Sequence, residues 1–225
     1  SNIGIQLATT AFRNVVSGNV VNTSGTSNNY GIDLTRADNN TVRDNKINTS
    51  GTSTTNYGVF IYSAVFNNLT NNTITTFSGT SHIIYIAAGS NYTNISGNTL
   101  KATGSGSFGV YIDPEGNPTG NSIYNNVINT TAQHINISSP LFVNNFSTTL
   151  VAGTNIVGGA NIGGNFYDNS TAGGQAAYSL TCAQRSTYGI CETSLSHAGN
   201  NTDFYPLAAP DTTLPFVDYG LNSDS

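Results

Sequence analysis

Two acidic residues in the middle of the chain are the best candidates for acid–base chemistry. Asp113 and Glu115 lie two positions apart in the sequence Asp113-Pro114-Glu115-Gly116. A site that cleaves polysaccharides needs two or three carboxylates, or a carboxylate with Lys or Arg, within several ångströms of one another. Because proline fixes φ and glycine follows, the same four residues also fit a turn, which we favour. We therefore predict no catalytic residues.

Aromatic side chains are the better candidates for a binding site. Phe60, Tyr85 and Tyr111 recur at steps of 25 and 26 residues, and Tyr62 lies two positions after Phe60. On one outer face these rings would form a ladder that suits contact with sugar rings or with another protein chain. A ladder that only stiffens its own sheet, or that a loop covers, is the alternative. A second aromatic series is expected at a corner and partly buried: Tyr30, Tyr57, His82 and Phe108.

The element that must position these side chains is a repeated phrase of Gly, apolar, any residue, apolar. Six copies are separated by steps of 27, 27, 25, 26 and 25 residues and begin at Gly4, Gly31, Gly58, Ile83, Gly109 and His134. A fixed period of this size indicates a solenoid, in which stacked repeats bury a common core. Alternate strand residues face opposite sides, so Ile32 and Leu34 point inward while Asp33 and its equivalents, including Phe60, point outward.

A second phrase, an apolar residue followed three positions later by Asn, runs in register with the first. Equivalent residues of successive coils lie one strand spacing apart, so these Asn side chains are expected to form an amide ladder. Gly18 and Gly97 precede two of them and are expected to have positive φ. The ladder residues are Asn19, Asn45, Asn72, Asn98 and Asn126.

Two or three strands per coil, stacked at about 4.8 Å, make a parallel β-helix. The pairing of Gly-Ile-x-Leu with Asn-x-Val-x-x-Asn-x-Ile resembles the repeats of NosD-like and pectate-lyase-like proteins, found in archaeal and bacterial surface proteins, over roughly residues 3–148. The resemblance implies an all-β, right-handed parallel β-helix of about six coils. It implies no activity, because lyases, hydrolases, adhesins and surface-layer proteins share this scaffold. Stacking would place Asp33 about 14 Å from Asp113, too far for a catalytic pair.

Composition indicates the setting and the partners. Charged residues make up 8% of the chain and the net charge is −5. The sequence therefore lacks the positive charge that binds nucleic acid. No apolar run has the length of a membrane span. The chain starts at Ser1 on the first repeat, so we expect a processed protein or a fragment, located outside the cell or at its surface.

Glycosylation signals support the same location. Asn-x-Ser/Thr sites are individually weak evidence in a chain rich in these residues, but together they indicate an extracellular glycoprotein. The twelve acceptors are Asn22, Asn39, Asn48, Asn68, Asn71, Asn91, Asn94, Asn129, Asn136, Asn145, Asn169 and Asn200.

The repeats stop near residue 150, and the rest is expected to form an irregular C-terminal cap over 151–206. Cys182 and Cys191 enclose eight residues, and an extracellular setting favours a disulfide over free thiols. The spacing of His197 from these cysteines matches no common zinc pattern, so we expect no metal and no cofactor.

The cap phrases Gly-Gly-Asn-Phe-Tyr-Asp and Asn-Asn-Thr-Asp-Phe-Tyr-Pro-Leu resemble the closing segment of NosD-like proteins. In that family the intervening insert often carries an acidic run suited to calcium, but here 173–199 contain only Glu192 as an acid. Neither a calcium site nor the copper role of the family is therefore carried over. The aromatic residues of both phrases are expected to cap the apolar end of the solenoid.

Residues 207–225 are expected to be an extended tail or linker after the repeats of 1–150 and the cap. Leu214, Phe216 and Val217 would anchor the tail in a neighbouring subunit, or the tail packs on its own coil.

These patterns favour a non-enzymatic extracellular structural or adhesive surface protein, including a self-assembling filament or surface-layer subunit. Its partners would be copies of itself, other surface proteins or carbohydrate. An open first coil would suit end-to-end contact between subunits or a preceding domain. The alternatives are a carbohydrate-binding module that uses the aromatic ladder, and a polysaccharide lyase or glycoside hydrolase, which the poor carboxylate clustering disfavours.

Overall fold

Three parallel sheets wind around one apolar core, and each sheet takes one strand from each coil. The computed structural model describes residues 2–26, 28–52, 55–77, 79–139, 141–168, 178–184 and 189–209. The predicted all-β parallel β-helix is confirmed, with about five turns against the six coils predicted. In the part of the chain that the structure describes, the second sheet has five strands, and an isolated bridge between Ser122 and Asn145 takes the place of a sixth.

Strands are numbered in chain order, and the first sheet contains six of them. Their bounds are Asn2–Leu7 (β1), Asn29–Thr35 (β4), Val59–Tyr62 (β7), Ile84–Ala87 (β10), Val110–Ile112 (β13) and Ile135–Ile137 (β16). The second sheet contains Val15–Ser17 (β2), Thr41–Arg43 (β5), Asn68–Thr70 (β8), Asn94–Ser96 (β11) and Ser122–Tyr124 (β14). The third contains Val20–Thr23 (β3), Lys46–Thr49 (β6), Thr73–Thr76 (β9), Thr99–Ala102 (β12), Val127–Thr130 (β15) and Phe166–Asp168 (β19).

The inward positions of the repeat phrase form the core. Ile32, Leu34, Val59 and Ile61 are all fully buried, as the alternation of the phrase predicts. Ile5 of β1 is only half-buried, because β1 pairs on one side only in the described chain. The inward residues of later coils are buried too: Ile84, Ile86, Val110, Ile112, Ile135 and Ile137.

Close packing between the first and third sheets explains the glycine that begins the repeat phrase. A Cβ atom on Gly58 would collide with Ile74 Cγ2 and would lie 2.7 Å from the carbonyl oxygen of Ile83. Gly31 meets Ile47 Cγ2 and the Gly58 carbonyl oxygen in the same way. A side chain at either position would push the two sheets apart.

The predicted amide ladder is present, with Asn19 half-buried and the later members buried. Asn72 Nδ2 donates to Asn98 Oδ1 over 3.0 Å, and Asn98 Nδ2 donates to Asn126 Oδ1 over 3.0 Å. Asn126 Nδ2 continues the ladder to Asn165 in the cap. Gly18 and Gly97 both have φ of 70°, as predicted.

A second amide column, which the sequence analysis did not identify, runs beside the first. Asn14 Nδ2 donates to Asn40 Oδ1, and the backbone N–H of Asn40 donates to Asn67 Oδ1. Further along, Asn121 Nδ2 donates to Asn144 Oδ1. These side chains satisfy backbone hydrogen-bonding groups at a corner of the coil, so their role is structural.

The C-terminal part is irregular, as predicted. Its regular elements are Val151–Ala152 (β17), Asn161–Ile162 (β18), helix Tyr178–Thr181 (α1), Leu195–Ser196 (β20) and Thr202–Asp203 (β21), with β17 antiparallel to β18 and β20 to β21. The predicted disulfide joins Cys182 and Cys191. No helix in the described ranges is long and apolar enough to cross a membrane.

The cap buries the two aromatic residues of its first phrase but not both of the second. Phe166 and Tyr167 pair with β15 and are buried. Phe204 is 58% exposed, so the prediction that it covers the solenoid end is wrong. The second phrase contributes instead Asp203, whose carboxylate is fully buried. The predicted anchors Leu214, Phe216 and Val217 lie outside the described residues.

Candidate functional site

The outward positions of the first sheet hold the predicted aromatic ladder. Phe60 of β7 is in register with Tyr85 of β10, and Tyr85 is in register with Tyr111 of β13. The Phe60 and Tyr85 ring centroids are 5.5 Å apart, and those of Tyr85 and Tyr111 are 5.4 Å apart. Tyr62 lies at the edge, with its ring 5.7 Å from Phe60. All four rings are half-buried.

The corner series forms a second column that interleaves with the first. Tyr57 is in contact with Tyr85 of the next coil, with ring centroids 4.6 Å apart and planes within 12°. His82 contacts Tyr111 in the same way at 4.7 Å, and it stacks on Phe108 at 4.8 Å. Tyr30 and Phe108 are half-buried, as predicted for this series, whereas Tyr57 and His82 are buried more deeply than predicted. The two columns therefore form one continuous aromatic surface.

Stacking within this surface determines what it can offer to a ligand. Since neighbouring rings cover one another's faces, ring edges and hydroxyl groups point outward from most of the ladder. Tyr85 and Tyr111 depart from parallel stacking, with 41° between their planes. The covered faces thus restrict the predicted stacking of sugar rings on the ladder. Contact with ring edges and hydroxyl groups is the more accessible mode.

The carboxylates of Asp113 and Glu115 are bound to this surface. The Tyr85 hydroxyl donates to Asp113 Oδ2 over 2.7 Å, and the Tyr62 hydroxyl donates to Glu115 Oε1 over 2.7 Å. Burial and then the hydrogen bond to Asp113 raise the pKa of Tyr85, and the hydrogen bond to Glu115 raises the pKa of Tyr62. Neither phenol is activated as a nucleophile.

The predicted turn at Asp113 is present and orients these acids. The backbone N–H of Glu115 donates to Asp113 Oδ1 over 2.9 Å, and Gly116 has φ of 69°. The turn thus places two acids beside the ladder, a juxtaposition that spacing alone did not reveal.

An open cleft of about 580 Å³ lies over the middle of the aromatic surface. Desolvation lowers the pKa of His82 to about 4, so this imidazole is neutral at neutral pH. Its Nδ1 accepts a hydrogen bond from the backbone N–H of Phe108. The cleft is lined by Thr55, Tyr57, Thr80, His82, Tyr85, Gly106, Phe108, Tyr111 and Asp113.

Asp33 occupies the same outward register but is not available to a ligand. It is only 3% exposed, which corrects the expectation that it faces solvent. Gln6 Nε2 donates to Asp33 Oδ2 and the Thr35 hydroxyl donates to Asp33 Oδ1, so neighbouring side chains cover the carboxylate.

The glycosylation acceptors differ in accessibility. Asn129 donates to Asp168, and Asn136 donates to Gln133. The acceptor Asn169 lies outside the described residues. Exposed acceptors are Asn22, Asn39, Asn71, Asn145 and Asn200, and half-buried ones are Asn48, Asn68, Asn91, Asn94, Asn129 and Asn136.

A buried polar cluster in the cap was not predicted. The Tyr167 hydroxyl donates to Asp203 Oδ2 over 3.0 Å and lies 3.2 Å from His197 Nε2. Desolvation raises the pKa of Asp203 to about 7 and lowers that of His197 to about 3. The three residues are distant in sequence, so no local motif identifies the cluster.

Comparison with known families agrees with this fold. The family described as periplasmic copper-binding protein (NosD) matches residues 1–172. The chain belongs to the NosD family. Membership indicates an exported protein of a periplasmic and surface family. Comparison with curated proteins and with solved structures gives no significant match.

The described residues offer no ligand set that fits the copper named in the family description. Copper sites use Cys, Met and His ligands, whereas this sequence has no Met. Both cysteines form the disulfide, and His82 is stacked among aromatic rings. Within the described ranges, no group of three or more His, Cys, Asp or Glu side chains could hold a metal ion.

Proposed function

We propose that this NosD-family protein is a non-enzymatic surface module that adheres to glycans through its aromatic cleft. The observation that carries the proposal is the cleft itself, where rings from three successive coils meet the carboxylate of Asp113. Its volume lies within the range of small-molecule sites, which combine apolar lining with a few polar groups.

The chemistry of the lining matches a sugar polymer. Sugar hydroxyls can exchange hydrogen bonds with Asp113 and with the hydroxyls of Tyr85 and Thr80. The positive ring edges can face the oxygen atoms of the sugar. Equivalent positions repeat about every 4.8 Å along the solenoid, so a linear chain along the axis would meet similar contacts on each coil.

The stacked rings also favour binding by being held in place before a ligand arrives. Tyr85 is fixed by its bond to Asp113 and by its contact with Tyr57. A fixed side chain loses little conformational entropy on binding.

The test is glycan binding by Tyr85→Ala and by a matched control, Tyr92→Ala. Tyr92 stacks on Phe66 at a different corner and is 55% exposed, so it is a comparable ring outside the cleft. Binding to a panel of neutral, amine-bearing and acidic oligosaccharides would be measured by isothermal titration calorimetry. We expect at least a tenfold loss for Tyr85→Ala and less than a twofold change for Tyr92→Ala.

Equal effects of the two substitutions, or no binding of any glycan by the wild type, would contradict the proposal. Tyr85→Phe separates the ring from its hydroxyl, because it keeps the stacking and removes only the bond to Asp113.

A further inference from the structure

We propose that the cleft selects glycans that carry protonated amino groups over glycans that carry carboxylates. This inference rests on the proposed function and specifies its ligand class. It follows from the charges around the cleft.

The negative charges at the cleft have neutral partners. Asp113 accepts hydrogen bonds from the Tyr85 hydroxyl and from a backbone N–H, and Glu115 accepts one from the Tyr62 hydroxyl. Among the described residues the ion pair that forms joins Arg43 to Asp44, away from the aromatic surface. Asp113 in the cleft lining and Glu115 beside the aromatic surface thus have no contacting cation among the described residues.

Among the described residues, the positive charge that acts on the aromatic surface lies at its margin. The lining of the cleft contains no Lys or Arg among the described residues. Arg36 lies near Tyr62 at one edge of the aromatic surface. The hydrogen bond to Glu115 raises the pKa of Tyr62, and the charge of Arg36 offsets part of this rise. A uronate chain would meet Asp113 with no cation in the lining to receive its own carboxylates.

An ammonium group meets the opposite situation. It can donate a charge-assisted hydrogen bond to the carboxylate of Asp113, which is stronger than a hydrogen bond between neutral groups.

The experiment compares three oligosaccharides of equal length at about pH 6, where an amine is protonated. The probes are a glucosamine oligomer, its N-acetylated form and an oligogalacturonate. Affinities are measured by calorimetry with the full chain at ionic strengths of about 0.01 M and about 1 M, which change the screening length from about 30 Å to about 3 Å.

Two variants test the assignment to Asp113. Asp113→Asn keeps the size of the side chain and an oxygen that can accept from Tyr85, but removes the charge. Glu192→Gln, in the exposed C-terminal part, makes the same change in net charge outside the cleft. Thermal unfolding of both variants confirms that each one folds.

We expect the glucosamine oligomer to bind the wild type about tenfold more tightly than its acetylated form at low salt, a difference of about 1.4 kcal/mol. High salt and Asp113→Asn should each abolish the preference, whereas Glu192→Gln should retain it. Equal affinities for the three probes, or a preference for the uronate, would overturn this inference while leaving glycan binding intact. Absence of binding to all three would overturn the proposed function as well.

Discussion

Replacing Asn98 by Ala tests whether the amide ladder holds the solenoid together. Asn98 is fully buried, and its Oδ1 accepts from the backbone N–H of Asn72 over 2.8 Å. Its Nδ2 donates to the carbonyl oxygen of Leu69 and to Asn126 Oδ1. Its Oδ1 also accepts from Asn72 Nδ2, and its Nδ2 also donates to the carbonyl oxygen of Ser96. The substitution removes all of these bonds at a site that water does not reach.

The expected cost follows from which groups lose every partner. Asn72 Nδ2 retains the carbonyl oxygen of Val42, and Asn126 Oδ1 retains the backbone N–H of residue 98. The backbone N–H of Asn72 has no replacement, and an unsatisfied buried group costs about 1–3 kcal/mol. With the lost bonds of Nδ2 and the void left by the amide, we expect a loss of about 3 kcal/mol.

Urea unfolding followed by circular dichroism measures this loss, with Asn22→Ala as the matched control. Asn22 is exposed and accepts one bond, from Asn48 Nδ2, so its replacement should cost no more than about 0.5 kcal/mol. For a chain of this size, Asn98→Ala should lower Tm by about 6–12 °C. If the two variants unfold within about 0.5 kcal/mol of each other, the ladder does not carry the stability assigned to it.

Two further perturbations test the packing of the coils and of the cap. Gly58→Ala should lower the free energy of unfolding by about 1–3 kcal/mol, because the new Cβ meets Ile74 and the Ile83 carbonyl oxygen. Gly79→Ala is the control, since no atom lies within 4 Å of its new Cβ, and it should be neutral. Urea unfolding of both variants measures the difference. Asp203 has its pKa raised from 3.8 to about 7, so the folded state binds more protons than the unfolded state between those values, and its contribution to stability is lost as pH rises through about 7. As pH rises from 4 to 7, the free energy of unfolding of Asp203→Asn should therefore increase relative to that of the wild type by on the order of 4 kcal/mol. A difference between the two free energies that does not change with pH would refute the assignment.

The coil architecture could be predicted because the sequence repeats it. The period of 25 to 27 residues determines which residues stack, and the alternation of Ile32, Asp33 and Leu34 determines which ones enter the core. The second amide column was also visible in principle, since Asn14, Asn40 and several equivalents lie five positions before the first ladder.

The candidate site was predicted in part. The register of Phe60, Tyr85 and Tyr111 follows from the repeat, but the stacking of Tyr57 on the ring of the next coil depends on side-chain rotamers, which periodicity does not specify. The contact of Asp113 with Tyr85 depends on the path of a turn, and turns vary more than strands. The burial of Asp203 depends on the packing of an irregular cap that has no repeat to follow.

The first amide ladder has a direction. From Asn19 onward, each Nδ2 donates to the Oδ1 of the following coil, so all the side-chain dipoles add along the axis. The amide of Asn165 ends this series, and its backbone N–H donates to the carboxylate of Asp203 over 2.8 Å. The positive pole of an aligned row of dipoles thus meets an acid, much as an anion meets the amino end of a helix. At the opposite pole Asn19 presents an acceptor oxygen, so a strand that extends the row there must bring a hydrogen-bond donor.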